Sequence, residues 1–305
     1  MVWFKKKTEF KQTIACCIDD GSYSIAVVGN NKKLLFSQYR TFTESTRDQI
    51  SKALGDDIER LGLLAHSAQL ILLPGQYQLI LMDALNVPEA EMAKALQWSL
   101  KGLSDYDLDD VALDTFLMPS RKNSEQKKVL VALTPVSVLN KKNSFFEAAF
   151  LDVISVGISA VALKTFLSAI MPTNTDETES PIFVISIWNT IRKLHIVYND
   201  MFYLIRELTP SQHPHGDEPA EMANILLELE HSIDYCINKL NIPEPRQVLF
   251  TPGFHRAVSF FKQIEEEFEL TVSIIDLNQH MEMTPALSLE EQDLVFYSII
   301  GAFSS

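Results

Sequence analysis

Residues 14–28 read Ile14-Ala15-Cys16-Cys17-Ile18-Asp19-Asp20-Gly21-Ser22-Tyr23-Ser24-Ile25-Ala26-Val27-Val28. An apolar run, a polar turn with a glycine and a second apolar, β-branched run predict a β-hairpin. A further turn, Gly29-Asn30-Asn31-Lys32-Lys33, leads to a third strand, Leu34 to Tyr39. Thr43, Ser45 or Thr46 is placed to cap a helix in which Ile50, Leu54, Ile58 and Leu61 recur at helical spacing and which ends near Gly62. A strand from Gln69 to Leu73 follows.

The same order returns in the second half. Ile182 to Trp188, Lys193 to Tyr198 and Phe202 to Glu207 read as three strands joined by the short turns Asn189-Thr190 and Asn199-Asp200. A helix from Pro219 to Leu240 follows, with Met222, Leu226, Leu229, Ile233 and Ile237 on one face. Strand Val248 to Thr251, helix His255 to Phe268, strand Thr271 to Ile275 and a last helix, Leu289 to Phe303, complete the half. Two units of one order in a chain are an internal structural repeat, although few residues match between them. The expected fold is therefore α/β and actin-like: duplicated ribonuclease-H-like βββαβα halves.

Extra material lies in the first half. Tyr77 to Met82 reads as a strand, and Pro88 opens a helix at the favoured first-turn position, with Met92, Leu96, Ser99, Leu100 and Leu103 at helical spacing. Strand Val111 to Met118, a polar loop from Pro119 to Lys128 and strand Val129 to Leu133 follow, then helix Val136 to Phe150, strand Val153 to Ile158 and helix Ala160 to Ile170. The expected division is residues 1–73 with 135–175 as a first core subdomain, 74–134 as an inserted α+β subdomain and 181–305 as a second core subdomain. Pro172 to Pro181, rich in Thr, Asp and Glu, is the best linker.

Composition narrows the function classes. The 305 residues are 47% hydrophobic and 22% charged, an ordinary globular balance. At about 150 residues per domain, that length suggests two domains or one large α/β unit. Lysine and arginine number 26 against 40 acids, a net charge of −14 that repels phosphate backbones, so no nucleic-acid partner is expected. Three cysteines, two of them adjacent, form neither a disulfide framework nor a zinc site, which suits reduced thiols in a cytoplasmic protein. No run approaches the roughly eighteen apolar residues of a membrane span. Met1-Val2-Trp3-Phe4 followed by Lys5-Lys6-Lys7 reads as a solvated terminus in preference to a short interfacial anchor.

The order of elements resembles the PilM family of type IV pilus assembly proteins, and within it the branch serving the mannose-sensitive haemagglutinin (MSHA) pilus. The residues that carry the resemblance are Leu73-Pro74-Gly75, Val87-Pro88-Glu89-Ala90-Glu91-Met92 with Ala95-Leu96-Gln97-Trp98-Ser99-Leu100-Lys101, and Asp105-Tyr106-Asp107-Leu108-Asp109-Asp110-Val111 with Leu113-Asp114. Ile18-Asp19-Asp20-Gly21-Ser22-Tyr23-Ser24 is similar to the family's first phosphate loop. The resemblance implies an actin-like protein that works at the inner-membrane platform of a pilus or related secretion machine. Its partner would be the cytosolic tail of a bitopic, PilN-like membrane protein, held between the first core subdomain and the inserted one, beside other platform components. Leu73, Pro74, Tyr77 and Trp98 are placed near that groove by position alone. The cytosolic domain of GspL-like type II secretion proteins shares the fold but continues into a membrane helix, whereas this sequence reaches Ser305 without one.

The resemblance also raises ATP with Mg²⁺ as a cofactor. Asp19 stands where the family's metal-side aspartate lies, Gly21 permits close approach, and Ser22 and Ser24 offer donors. Against this, Ala26 occupies the family's lysine position, and Asp20 adds a charge that opposes phosphate. The family's Asp-x-Gly pair is replaced by Ser186-Ile187-Trp188-Asn189. The adenosine turn keeps one glycine, Gly253, in Thr251-Pro252-Gly253-Phe254, where proline lacks an N–H. Only about ten residues, around Thr209 to Asp217, separate the third strand of the second half from its helix, so the fourth subdomain is reduced or absent. The expectation is a vestigial nucleotide site, no ATPase activity and no cofactor, with an ATP-binding switch as the alternative; Asp19-Asp20-Gly21-Ser22 reads equally as a plain hairpin turn.

Other candidate chemistry is weaker. His213-Pro214-His215 with Asp217 and Glu218 lacks a second structured ligand pair, and Glu228, Glu230 and His231 show no His-Glu-x-x-His pattern. Ser24 and Ser159 lack a Gly-x-Ser-x-Gly context.

Overall fold

The computed structural model describes residues 14–29, 31–43, 46–63, 67–118, 127–170, 180–209 and 219–303. The terminal Trp3-Phe4 segment, most of the loop from Pro119 to Lys128, most of the proline-bounded linker, and the loop from Thr209 to Asp217 beyond Thr209 itself, with the His213-Pro214-His215 cluster, lie outside the described residues.

The first hairpin is β1 (Ile14–Asp19) and β2 (Ser22–Val28), followed by β3 (Leu34–Thr41), α1 (Arg47–Arg60) and β4 (Ser67–Leu72). Asp19 pairs with Ser22 across a two-residue turn, and Gly21 takes the positive φ of +83° that such a turn requires. The Gln49 side chain accepts the Thr46 N–H at the start of α1, and Ile50, Leu54 and Ile58 are buried. With β8 (Asp152–Ile158), these strands form a five-stranded sheet in the order β3-β2-β1-β4-β8; β1, β4 and β8 run parallel.

The second sheet has the same order. It is built from β9 (Ile182–Trp188), β10 (Ile191–Tyr198), β11 (Met201–Glu207), β12 (Gln247–Phe250) and β13 (Thr271–Ile274), arranged β11-β10-β9-β12-β13. Asn189, Asn199 and Asp200 have positive φ in its two hairpin turns, a conformation these short polar residues tolerate. The duplication read from element order is thus present in strand order and pairing direction. α5 (Pro219–Tyr235) continues as a π-helical turn, Cys236–Leu240. That turn shifts the helical period, so Cys236 is buried and Ile237, expected on the buried face, is 44% exposed. A 3-10 turn at Pro252–Phe254 delays α6 to Val258–Phe268.

Between β4 and β8 comes the inserted unit: β5 (Gln78–Asp83), α2 (Glu89–Leu96), β6 (Val111–Leu117) and β7 (Lys128–Pro135), in the antiparallel order β5-β7-β6. Pro88 stands at the N-cap, one residue ahead of its expected place. Met92, Leu96 and Leu100 close a small core with Val129, Val131 and Leu133. The helical spacing does not reach Leu103, because the chain tightens to a 3-10 turn at Gln97–Leu100 and leaves Leu103 exposed. Leu79, Phe116 and Met118 pack instead against the first core.

α3 (Val136–Ala148) packs with α1, and α4 (Ser159–Ile170) packs with α7 (Leu289–Phe303). α7 is placed differently from the division at 181–305. It lies on β1, β2 and β3, and Val295, Phe296, Ile299 and Ile300 belong to the first core. A helix that is apolar nearly all round must be enclosed, and here the chain returns from the second half to cover the first sheet.

Candidate functional site

The two tight hairpin turns, Asp20-Gly21 and Asn189-Thr190, approach each other across the cleft between the halves. Asp19 accepts hydrogen bonds across that cleft from the indole Nε1 of Trp188 (3.2 Å) and from Asn189 Nδ2 (3.3 Å). Gln76 Nε2 donates to Asp19 Oδ1 (3.2 Å) and to the Ile18 carbonyl (2.9 Å), while its own oxygen accepts the Leu73 N–H (3.0 Å). Trp188 packs against the first core, edge-on to Tyr297 with ring centroids 5.8 Å apart. From α3, Lys141 donates to Asp20 (2.9 Å) and the buried Lys142 donates to the Ile18 carbonyl. Burial pulls the Lys142 ammonium below the usual lysine value, opposed by the charges of Asp19 and Asp20. The hydrogen bond from Lys141 lowers the Asp20 carboxyl.

The remaining residues of the expected nucleotide site serve packing. Ser22 and Ser24 are buried, Ser24 paired with Cys17 across the hairpin. Ala26 is wholly buried and offers no cation. At Gly253 an added Cβ would fall inside the van der Waals surface of Ile187 Cγ2 and 2.8 Å from Asp293 Oδ1. The glycine therefore admits the chain's own Ile187 where an adenosine was expected. A magnesium triphosphate needs an open amide cradle and a cation-binding carboxylate. Here the cradle is spanned by an indole and the carboxylate is engaged by three side-chain donors, so the residues do not fit the group.

The groove assignment also changes. Leu73, Pro74 and Tyr77 are buried, Leu73 at 1% and Tyr77 at 4% exposure, so a partner's tail cannot touch them without moving the fold. Tyr77 joins the halves: its hydroxyl pairs with Ser159 (3.0 Å), and the Lys193 ammonium sits 5.0 Å from its ring centroid. Beside it, His195 bonds Ser186 through Nε2 (2.8 Å), and burial pulls its ring down to about 3. Trp98, at 84% exposure on the inserted unit, is accessible. Among the described residues no group of three or more His, Cys, Asp or Glu side chains could hold a metal.

The residues of this cleft missing from the sequence reading are Gln76, Lys142 and Tyr297. A signal existed for one of them: Lys142 falls three and four residues before the buried Phe145 and Phe146, a core position for a lysine.

Asp293 on α7, beside Gly253, is pushed up to about 6, first by burial and then by Glu290, against the pull of His255. The fold holds this proton more tightly than the unfolded chain does, so the group's contribution is complete below the ordinary value of 3.8 and is lost as pH rises through about 6. Asp293→Asn should flatten stability between these values and exceed the parent at pH 7.5 by roughly 1–3 kcal/mol; thermal melts at both ends of the window check it.

No protein-family model matches the chain, and no curated protein matches it. Solved structures do. The chain is similar to one from a PilM–PilN type IV pilus biogenesis complex (TM-score 0.72, 14% identity, covering 97% of this chain and 98% of that one). It is also similar to a Bacteroides thetaiotaomicron protein of actin-like ATPase fold and unknown function (0.53, 10%, 93% and 95%). A third similar structure is the cytoplasmic domain of EpsL, an inner-membrane component of the Vibrio cholerae type II secretion system (0.52, 12%, 94% and 94%). With its duplicated five-stranded sheets, the chain has the actin-like fold.

Proposed function

We propose that the chain is a non-catalytic cytoplasmic assembly protein of a type IV pilus or related secretion system, of the MSHA pilus in the finer reading, as a counterpart of MshI. It docks at the inner membrane by holding the cytosolic tail of a PilN-like bitopic protein and sits among the other platform components. The observation that carries this reading is the likeness to the PilM–PilN structure over 97% of the chain, insertion included. The EpsL likeness supports the second reading, a GspL-like role in type II secretion. No described helix is long and apolar enough to cross a membrane, which suits attachment through a partner. Leu81, Leu85, Trp98 and Leu103 are exposed large apolar side chains among the described residues of the inserted unit, and the tail covers some of them.

The cleft supports the non-catalytic part: Trp188, Asn189 and Gln76 already occupy Asp19. Calorimetry tests both parts. A synthetic tail of the bitopic protein encoded beside this gene should bind the intact chain, more weakly after Trp98→Asp or Leu81→Asp, and Mg-ATP should give no heat. Micromolar binding of Mg-ATP would overturn the nucleotide-independent reading. Failure of every neighbouring tail to bind would overturn the scaffold reading.

A further inference from the structure

The carboxylates of Asp19 and Asp20 are engaged from within the chain, in a pattern that joins the two halves. Asp19 belongs to the first half; Trp188 and Asn189 belong to the second. Tyr297 stands behind the indole and donates its hydroxyl to the Ile187 carbonyl at 3.4 Å. The acidic turn Asp19-Asp20 is countered by two ammonium groups of α3. One is Lys142, 7% exposed and bonded to the carbonyl of Ile18; the other is Lys141 on Asp20. Two adjacent carboxylates beside a backbone carbonyl are oxygen donors of the kind that attract a hard divalent cation. The Lys142 ammonium bonds that carbonyl and lies near enough to both carboxylates to feel their charge. Its stem is fixed by burial, and its charge is offset by the same carboxylates that would face the metal.

We propose that this arrangement is an internal latch: the Trp188 indole and Asn189 close the halves onto Asp19, with the Lys142 ammonium standing in for a cation, so the chain remains closed without any ligand. The proposal rests on the nucleotide-independent reading above and deepens it by naming what replaces the ligand. A scaffold whose two halves must present one fixed surface gains from a closure that does not depend on nucleotide supply.

Hydrogen exchange of the full chain, read by mass spectrometry, tests it. In the parent protein, exchange at residues 19–22 and 188–191 should be indifferent to millimolar Mg-ATP and to Mg²⁺ or Ca²⁺ alone. Trp188→Phe keeps a ring and removes the N–H, and should speed exchange in both turns about 5- to 10-fold, the factor expected for one hydrogen bond, while β7 is unchanged. Asp19→Asn, which removes the charge and turns one acceptor oxygen into an NH2 donor, should move the same two turns and serves if the Trp188 variant does not fold. Lys142→Met keeps the apolar stem, frees the Ile18 carbonyl from the ammonium and removes a positive charge near Asp19 and Asp20, so Mg²⁺ or Ca²⁺ should now slow exchange at residues 19–22. Unchanged exchange in the Trp188 and Asp19 variants, protection of the parent by Mg-ATP, or a Lys142 variant indifferent to both ions would overturn the latch. Tail binding by the parent, measured on the same preparation, tells failure of the latch from failure of the scaffold reading.

Discussion

Replacing Arg40 and Arg60 together by methionine is expected to destabilise the protein by about 3–5 kcal/mol, seen as a lower urea midpoint of the parent's transition. The reason is Asp57, an aspartate on α1 that is wholly buried against the first sheet. Arg40 reaches its carboxylate from β3 at 2.5 Å, Arg60 from the last turn of α1 at 2.9 Å, and the Tyr23 hydroxyl donates to it from β2 at 2.6 Å. The two arginines are partly exposed and can return to water, whereas Asp57 cannot. Removing the cations leaves an uncompensated buried charge, and that penalty, not the attraction itself, dominates the cost. The contrast is a variant that also carries Asp57→Leu and Tyr23→Phe. With no charge and no orphaned hydroxyl left behind, it should recover most of the loss. A double arginine variant that costs less than about 1 kcal/mol would mean that Asp57 needs neither cation.

The same cluster illustrates how the sequence carries the fold. Ile50, Leu54 and Ile58 mark α1 by spacing alone, and the apolar runs on either side of Asp20-Gly21 mark the hairpin on which it packs. Local pattern and turn chemistry decide such elements, and the repeat of element order was enough to anticipate two sheets of one topology. Pairings across long separations are another matter. Nothing in the spacing of Leu289 to Phe303 says which sheet encloses it, since a helix apolar on all sides fits either. Trp188 was legible as an indole in a turn that should hold glycine, but its bond to Asp19 spans 169 residues and exists only in the folded chain. Leu73, Pro74 and Tyr77 fell on a motif by position, and position does not report burial: Tyr77 is consumed by Ser159 and Lys193. A lysine at a core position was a second local sign, beside that indole, that the cleft is filled from inside.

Gly253→Ala should cost about 3 kcal/mol in stability. In a nucleotide site, a glycine in this turn would let adenosine approach the backbone, and the substitution would lower nucleotide affinity while leaving the apo protein near its original stability. In this chain the space above Gly253 is taken by Ile187 Cγ2 and Asp293 Oδ1, and both lie too close for a methyl group. Ile187 is on a central strand of the second sheet, its N–H held by Thr251 Oγ1 at 3.1 Å, so it cannot retreat without moving β9; Asp293 is carried by α7. Overpacking of this kind ordinarily costs about 1–3 kcal/mol, and a backbone-locked neighbour places it at the upper end. Ile187→Ala removes the clashing atom and opens a cavity of its own. The two losses should therefore not add: the double variant should be more stable than their sum predicts by about 1–2 kcal/mol. Additive losses would place the cost of the methyl group elsewhere than Ile187. A Gly253→Ala protein as stable as its parent would mean that the turn has room to spare and would return the glycine to a ligand.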